Sequence, residues 1–147
     1  MSTVSKHLFL ENTPVFSDYM RSNGINKTNF PQEFFPILGL FSEDCNYHLQ
    51  EVYVSGKRLF IKGGCNGKEN ELMLRFGNSQ LIIARVMFIH QRQGNMTHLY
   101  KILKKIRKKY KLNPIIMESC ITDASVEWSK KNGFELMPDG GSYKEKE

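Results

Sequence analysis

Apolar and polar positions along the first half of the chain follow the two-residue period of β-strands. Residues 47–64 hold two runs rich in β-branched and aromatic residues, separated by a Gly-containing turn at 55–57, and this predicts a β-hairpin. Residues 71–76 alternate polar and apolar positions, as a half-exposed strand does. The apolar run 81–89 contains a single charge, Arg85, and predicts a buried strand. An antiparallel meander is therefore expected to lead into this strand.

The period then changes to that of a helix. Five apolar positions recur three or four residues apart, so they share one helix face: Leu99, Ile102, Leu103, Ile106 and Tyr110. A break at 112–114 is followed by a second apolar strand at 115–120. A strand, a crossover helix and a strand in this order predict a βαβ unit with two parallel, adjacent strands.

The C-terminal segment predicts a short helix over 124–132, ended by Gly133 in a left-handed conformation, and a strand at 134–137. Residues 138–147 are Gly-rich and charged, and we expect a loose tail.

The N-terminal part, 1–45, is expected to be variable and helical. It contains a short helix after Pro14, a turn at Asn23-Gly24, and a short helix over 32–35 that Pro36 limits. The apolar segment 34–41 either packs on the sheet, which is the default, or lines a substrate groove.

Composition fits one domain over 1–147 of the α/β (α+β) class. The 147 residues are 40% hydrophobic and 24% charged, as in ordinary globular proteins. The three cysteines, Cys45, Cys65 and Cys120, are widely spaced and predict no disulfide framework. No metal motif, membrane-spanning run or secretory signal is visible in the sequence, so we expect a cytoplasmic protein without a metal.

The net charge of +6 is concentrated in the helix that follows the buried strand. Basic charge favours polyanionic partners, among them nucleic acid and phosphate-bearing cofactors. A solvated helix face is the alternative, and no aromatic residues interleave with the lysines as a base-stacking platform requires.

The loop between the strand 81–89 and the helix is a candidate anion site. It contains Gly94, and the first amides of a helix have no internal partner and favour phosphate groups. The alternative is that Gly94 supplies only a permissive turn.

Two motifs resemble the GNAT superfamily of acyl-CoA-dependent N-acyltransferases. The segment QRQGNM at 91–96 is similar to the family's Q/R-x-x-G-x-G/A loop, with Met96 where the family prefers Gly or Ala. The segment TDASVEWSKKNGF at 122–134 is similar to the family's late helix, which ends in Gly-Phe. The resemblance covers about 70–138 and implies a mixed sheet with an antiparallel N-terminal meander and a central βαβ unit.

The resemblance implies that the chain transfers an acetyl group from acetyl-CoA to an amine acceptor. Backbone groups of three strand residues would pair with the pantetheine arm, and the 91–97 loop would hold the pyrophosphate, with added charge from Arg92 or Lys101. The implied coenzyme-binding residues are Met87, Phe88, Ile89, Gln91, Arg92, Gln93, Gly94, Asn95, Met96 and Thr97.

The catalytic residues depart from the family's pattern. Ser129 stands where many members carry a Tyr that protonates the leaving thiolate, and the strand 81–89 lacks the family's Glu base. Glu71 and Glu118 are the candidate bases, with direct proton release to water as the alternative. Tyr143 is a second candidate acid, whereas Cys120 has no visible activating His-Asp pair.

These departures leave two alternatives to a transferase. The first is a catalytically degenerate acyl-CoA-binding or protein-interaction module. The second is a small basic nucleic-acid-binding protein.

Overall fold

A computed structural model of the chain describes residues 32–146 except 56, 78, 92–93 and 119–122. The described part contains three α-helices and one mixed sheet of seven strands, ordered β1-β2-β3-β4-β5-β7-β6. A 3-10 turn at Gln32–Phe34 precedes the first helix. The elements are α1 Phe35–Asp44, β1 Leu49–Ser55, β2 Arg58–Cys65, β3 Lys68–Gly77, β4 Gln80–Met87, α2 Asn95–Tyr110, β5 Ile115–Met117, α3 Asp123–Lys131, β6 Phe134–Leu136 and β7 Tyr143–Glu145.

The predicted antiparallel meander is confirmed in β1 to β4. Each strand pairs with the next through a short connection, as between Cys65 and Lys68. Asn66 and Gly67, the two residues between those partners, have φ of 53° and 77°. Positive φ at both central residues is the backbone of a type I′ turn, whose twist matches that of the flanking strands. The turn therefore fixes the register of β2 and β3.

The predicted βαβ unit is also confirmed, since β4 and β5 are parallel neighbours joined by α2. Four of the five predicted face residues are buried: Leu99, Ile102, Leu103 and Ile106. Tyr110 was placed on the same face, but its side chain is 45% exposed. It is the last residue of α2, and its hydroxyl donates to Glu33 at 3.0 Å at the edge of the core.

The segment 34–41 packs into the core, as its apolar composition predicts. The predicted end of the helix was wrong, however, because α1 continues past Pro36 to Asp44. Pro36 lies in the first turn, where a missing N–H breaks no helical hydrogen bond. The expectations for Pro14 and for Asn23-Gly24 lie outside the described residues.

The predicted loose tail is wrong for 143–145, which form strand β7 between β5 and β6. Tyr143 and Glu145 face inward and are buried. The Glu145 carboxylate accepts hydrogen bonds from Arg107 and Tyr100, so its charge is compensated inside the protein. Asp139 holds the preceding turn by accepting the Ser142 amide at 2.9 Å.

The sheet presents two different faces. Leu72, Leu74, Leu81 and Ile83 are buried in the core cluster with residues of α1 and α2. Successive strand residues point to opposite faces, so Glu71 and its alternate neighbours on β3 lie on the face away from those helices.

No helix in the described part of the chain is both long and apolar enough to cross a membrane.

Candidate functional site

The central strand β4 leaves its parallel neighbour before it ends. Residues Leu81, Ile82 and Ile83 pair with β5, but β4 continues to Met87. On its other side, β4 carries an irregularity, because Met73 pairs with Arg85 and Leu74 pairs with Ile83. The extra residue between them makes a β-bulge, which increases the local bend of a strand. The two central strands thus have no pairing past Ile83 among the described residues.

A groove of about 400 Å³ lies at this opening. Its walls come from the end of β4, the loop that follows, the start of α2 and one face of α3. The lining residues are Val86, Met87, Phe88, His90, Gln91, Gly94, Asn95, Met96, Thr97, Ala124, Ser125, Glu127, Trp128 and Lys131.

The groove brings together most of the residues implied for coenzyme binding. Met87, Phe88, Gln91 and the run 94–97 line it. Ile89 lies in the same loop but is not a lining residue, and Arg92 and Gln93 lie outside the described residues. These residues all belong to the stretch 87–97, and α3 supplies the other wall of the groove.

Gly94 starts α2 and shapes the end of the groove. Its φ of 81° is in the left-handed region that favours glycine, and no described atom lies within 4 Å of a Cβ built on it. The first helical hydrogen bond runs from His98 N to Gly94 O at 3.0 Å. The amides of Asn95, Met96 and Thr97 precede that bond, and no described side chain caps the helix.

This helix terminus is electrostatically suited to an anion. The first amides of a helix, which have no partner within the helix, and the helix dipole both place partial positive charge there. The first turn of α2, which is fully described, contains no acidic residue. On α3, Glu127 and Lys131 contribute opposite charges to the opposite wall.

A buried carboxylate on α1 positions the loop after β4. Asp44 accepts the amide of Ile89 at 2.7 Å and the amide of His90 at 2.9 Å. It also accepts Asn95 Nδ2 at 3.3 Å, which ties the first residue of α2 to the same anchor. From the other side, Asn70 Nδ2 donates to Asp44 at 2.9 Å. The Asp44 side chain is 0% exposed, so these donors compensate its burial.

Sequence reasoning missed Asp44. An acidic residue at the end of an apolar helix is by default solvent-exposed. The only signal in the sequence was its position, because Asp44 comes three residues after the end of the apolar segment 34–41.

Trp128 joins α3 to the start of α2. Its indole Nε1 donates to Thr97 Oγ1 at 3.0 Å. Its ring packs against Tyr100 and Phe134, with centroid distances of 5.3 and 5.4 Å. This aromatic cluster fixes the distance between the two helices that bound the groove.

Ser129, the candidate acid, is buried and does not line the groove. Its hydroxyl donates to the Ser125 carbonyl at 2.8 Å and lies 3.3 Å from Met117 Sδ. The side chain therefore faces the sheet, and the neighbouring Trp128 faces the groove. Tyr143, the second candidate acid, is buried in β7 and is also absent from the lining.

Both candidate bases lie outside the groove and form ion pairs with arginines. Glu71 pairs with Arg85 at 3.1 Å, and Glu118 pairs with Arg75. Glu71 and Arg75 are alternate residues of β3, so both ion pairs lie on the face away from α1 and α2. Neither carboxylate lines the groove, although Glu71 is the ladder partner of Met87, which belongs to the implied coenzyme-binding set.

The described cysteines, Cys45 and Cys65, do not line the groove. Cys45 is fully buried, and burial, aided by the charge of Asp44, raises the pKa of its thiol to about 11. Cys65 is partly buried, and Cys120 lies outside the described residues. No group of three or more His, Cys, Asp or Glu side chains in the described ranges is placed to hold a metal ion.

Comparison of the chain with protein-family models, with curated proteins and with solved structures finds no match. Function is therefore inferred from the geometry of the groove and from the residues that form it.

Proposed function

We propose that the chain is a GNAT-type N-acyltransferase that uses acetyl-CoA as donor and an amine as acceptor. The observation that carries the proposal is the 400 Å³ groove where β4 leaves β5, because it ends at the Gly94-initiated terminus of α2, which no described side chain caps. A long ligand with an anionic segment fits a cavity whose walls are partly apolar and whose end is the first turn of a helix.

The described lining residues have separate roles in holding acetyl-CoA. Amides of Asn95, Met96 and Thr97 hold the pyrophosphate, and Gly94 gives the backbone the conformation that aims them. Backbone groups of Met87 and Phe88 pair with the pantetheine arm along the edge of β4 that β5 has left. Acetyl-CoA supplies a thioester, which is an acyl group activated for attack by an amine.

The amine acceptor approaches from the opposite face of the sheet. In this proposal it reaches the thioester past Ile83, where β4 and β5 have no pairing among the described residues, from the face that carries Glu71 and Glu118. A carboxylate there attracts a cationic amine and accepts its proton before attack. Met87, which is 39% exposed, lines the groove and is the ladder partner of Glu71.

Ser129 has no proton-transfer role in this proposal. Its hydroxyl is buried and already donates within α3. Proton transfer to the leaving thiolate then falls to solvent or to the acceptor.

Turnover is the test of this function. The full chain is incubated with acetyl-CoA and a panel of mono-, di- and polyamines, and free thiol is measured over time. Thiol release that depends on an amine is expected for the wild type. Glu71→Gln lowers the rate of thiol release with little change in acetyl-CoA affinity, whereas Ser129→Ala retains the wild-type rate. Absence of thiol release with every amine contradicts the transferase proposal.

A second candidate function is an acyl-CoA-binding module without turnover. The engagement of Glu71 and Glu118 in ion pairs with arginines, together with the buried Ser129, favours it. Saturable acetyl-CoA binding with no thiol release across the amine panel is the result that selects this candidate.

A further inference from the structure

A second groove, of about 1170 Å³, runs along the outer side of α2. We call it the basic groove. Its lysines on α2 and the residue after it are Lys101, Lys104, Lys105, Lys108 and Lys111. Its other wall is the C-terminal hairpin, which contributes Lys146. It shares no lining residue with the 400 Å³ groove.

Much of the positive charge of the basic groove has no acidic partner among the described residues, although Lys146 pairs with Glu135 at 3.8 Å and Arg107 pairs with Glu145. Glu145 is its acidic lining residue, and that carboxylate is buried against Arg107 and Tyr100. None of the five lysines on this side of α2 forms an ion pair within the described residues. By contrast, Lys109, on another side of the helix, pairs with Glu33.

The lysines are spaced along a line that suits a phosphate backbone. Lys101 and Lys111 are ten residues apart, which is about 15 Å along a helix at about 1.5 Å per residue. Duplex nucleic acid carries a phosphate about every 3.4 Å of axis on each strand, so the row spans roughly four phosphates.

Lipid is a poorer occupant than nucleic acid. A helix that binds a membrane surface inserts its apolar face. On the apolar face of α2, Leu99, Leu103 and Ile106 are buried in the core, and only Tyr110 at its end is exposed. Only the charged side of the helix is available.

An acidic peptide or a single strand also fits less well. Peptide interfaces are anchored by exposed aromatic or aliphatic side chains, and the large exposed apolar residues of the described chain, Met87, Tyr110 and Leu136, do not line the basic groove. Single strands stack their bases on free aromatic rings. The Tyr100 ring is covered by Lys104, whose Nζ lies 4.6 Å from the ring centroid, and packs on Trp128.

We propose that the basic groove binds the sugar-phosphate backbone of duplex nucleic acid without reading its sequence. Lys101, Lys104, Lys105, Lys108 and Lys111 supply the contacts. This binding does not depend on acyl transfer, because the two grooves have separate linings.

The experiment measures binding of the full chain to a fluorescent duplex as salt is raised from about 50 mM to about 200 mM. The test variant is K104E/K105E/K108E, and the matched control is K57E/R58E/K68E, whose exposed residues lie at the hairpin ends of β1 to β3. Each triple change lowers the net charge by six, from +6 to zero, so the two differ only in where the charge is lost.

The wild type is expected to bind at low salt, with a log–log salt slope of roughly −4, since each of about four neutralised phosphates adds about −0.9. The test variant loses about tenfold or more in affinity and its slope shrinks by about 2 to 3, whereas the control retains the wild-type slope. Equal losses in both variants, or absence of binding at low salt, overturn the proposal.

Two further measurements control for misfolding of the test variant and for binding of other polyanions. If the test variant fails to fold by circular dichroism, the comparison is repeated with K104Q/K105Q/K108Q and K57Q/R58Q/K68Q. Polyglutamate and anionic phospholipid vesicles are added as competitors at equal charge concentration. If either competitor displaces the fluorescent duplex as effectively as unlabelled duplex does, the assignment to nucleic acid is overturned.

Discussion

The carboxylate of Asp44 accepts the backbone amide of Ile89 at 2.7 Å, and this bond fixes the loop that ends the candidate coenzyme groove. The two residues are 45 positions apart in the chain. Asp44 closes α1, and Ile89 follows β4, so the contact ties the N-terminal helix to the central strand. Removal of the carboxylate takes the acceptor from two partly buried amides, those of Ile89 and His90, which is costly where water does not replace it.

Asp44→Ala is therefore expected to lower the free energy of unfolding by about 1 to 3 kcal/mol. It also weakens acetyl-CoA binding, because His90 and Asn95 lose the same anchor. Urea unfolding and calorimetry measure the two effects. Glu51→Ala, at an exposed position on β1, is the control and leaves both quantities near wild type. Unchanged stability in Asp44→Ala contradicts the anchoring role.

Gly63 is closely packed against the same region. A Cβ on Gly63 would lie 2.7 Å from both Asn70 Oδ1 and Cys45 Sγ, and Asn70 is a donor to Asp44. Gly63→Ala is expected to destabilise the fold by about 1 to 3 kcal/mol through overpacking. Gly77→Ala is the matched control on a neighbouring strand, since no described atom lies within 4 Å of its Cβ. Similar unfolding midpoints for the two variants would contradict the close packing at Gly63.

Alkaline pH is expected to destabilise the protein through Cys45 and Tyr100. Burial raises the pKa of the Cys45 thiol from 9.0 to about 11. Burial, with the hydrogen bond to Glu145, raises the pKa of the Tyr100 hydroxyl from 10.0 to about 12. The folded state holds both protons more tightly, so their stabilisation is complete below the unfolded pKa and is lost as pH rises through the folded pKa.

Melting temperatures measured between pH 8 and pH 11 test this linkage, with Cys45→Ala compared at each pH. The variant has a shallower decline above pH 9.0, because one of the two groups is gone. Parallel curves for the wild type and Cys45→Ala contradict the buried, protonated thiol.

The bond between Trp128 and Thr97 is expected to couple α3 to α2. A double-mutant cycle with Trp128→Phe and Thr97→Val isolates that bond, and a coupling free energy of about 0.5 to 1.5 kcal/mol is expected. A second cycle that combines Thr97→Val with Glu51→Gln is the control, and its two changes add within about 0.5 kcal/mol. Additive effects in the first cycle show that the indole bond does not join the helices.

The elements with a strong period were predictable from the sequence. The face of α2 that contains Leu99 and Leu103 repeats over several turns, and Asn66-Gly67 favours one kind of tight turn. Strand β7 was missed because a strand of three residues is too short to establish a period, and buried Glu145 looks polar until its partners are known.

The site was predictable only where it depends on local sequence. Gly94 and the run 95–97 form a local strand-loop-helix signal, and they line the groove. Asp44 was not predictable, because its burial depends on amides 45 and 46 residues away. Whether Ser129 or Trp128 faces the groove depends on the rotation of α3 about its axis. The packing of Trp128 on Tyr100 and Phe134 sets that rotation.

A thermal melt with and without acetyl-CoA tests the central claim most directly, on the wild type, Gly94→Glu and Gly67→Glu. Both glycines have positive φ, 81° and 77°, and open space around a Cβ, so the two variants carry the same backbone strain and charge change. Only Gly94 lies at the groove.

Acetyl-CoA is expected to stabilise the wild type and Gly67→Glu by about 2.7 kcal/mol at a hundredfold excess over Kd. The same ligand leaves Gly94→Glu unshifted, because a carboxylate there meets the pyrophosphate at the helix terminus. A wild type that acetyl-CoA does not stabilise, or an equal shift in Gly94→Glu, contradicts the account.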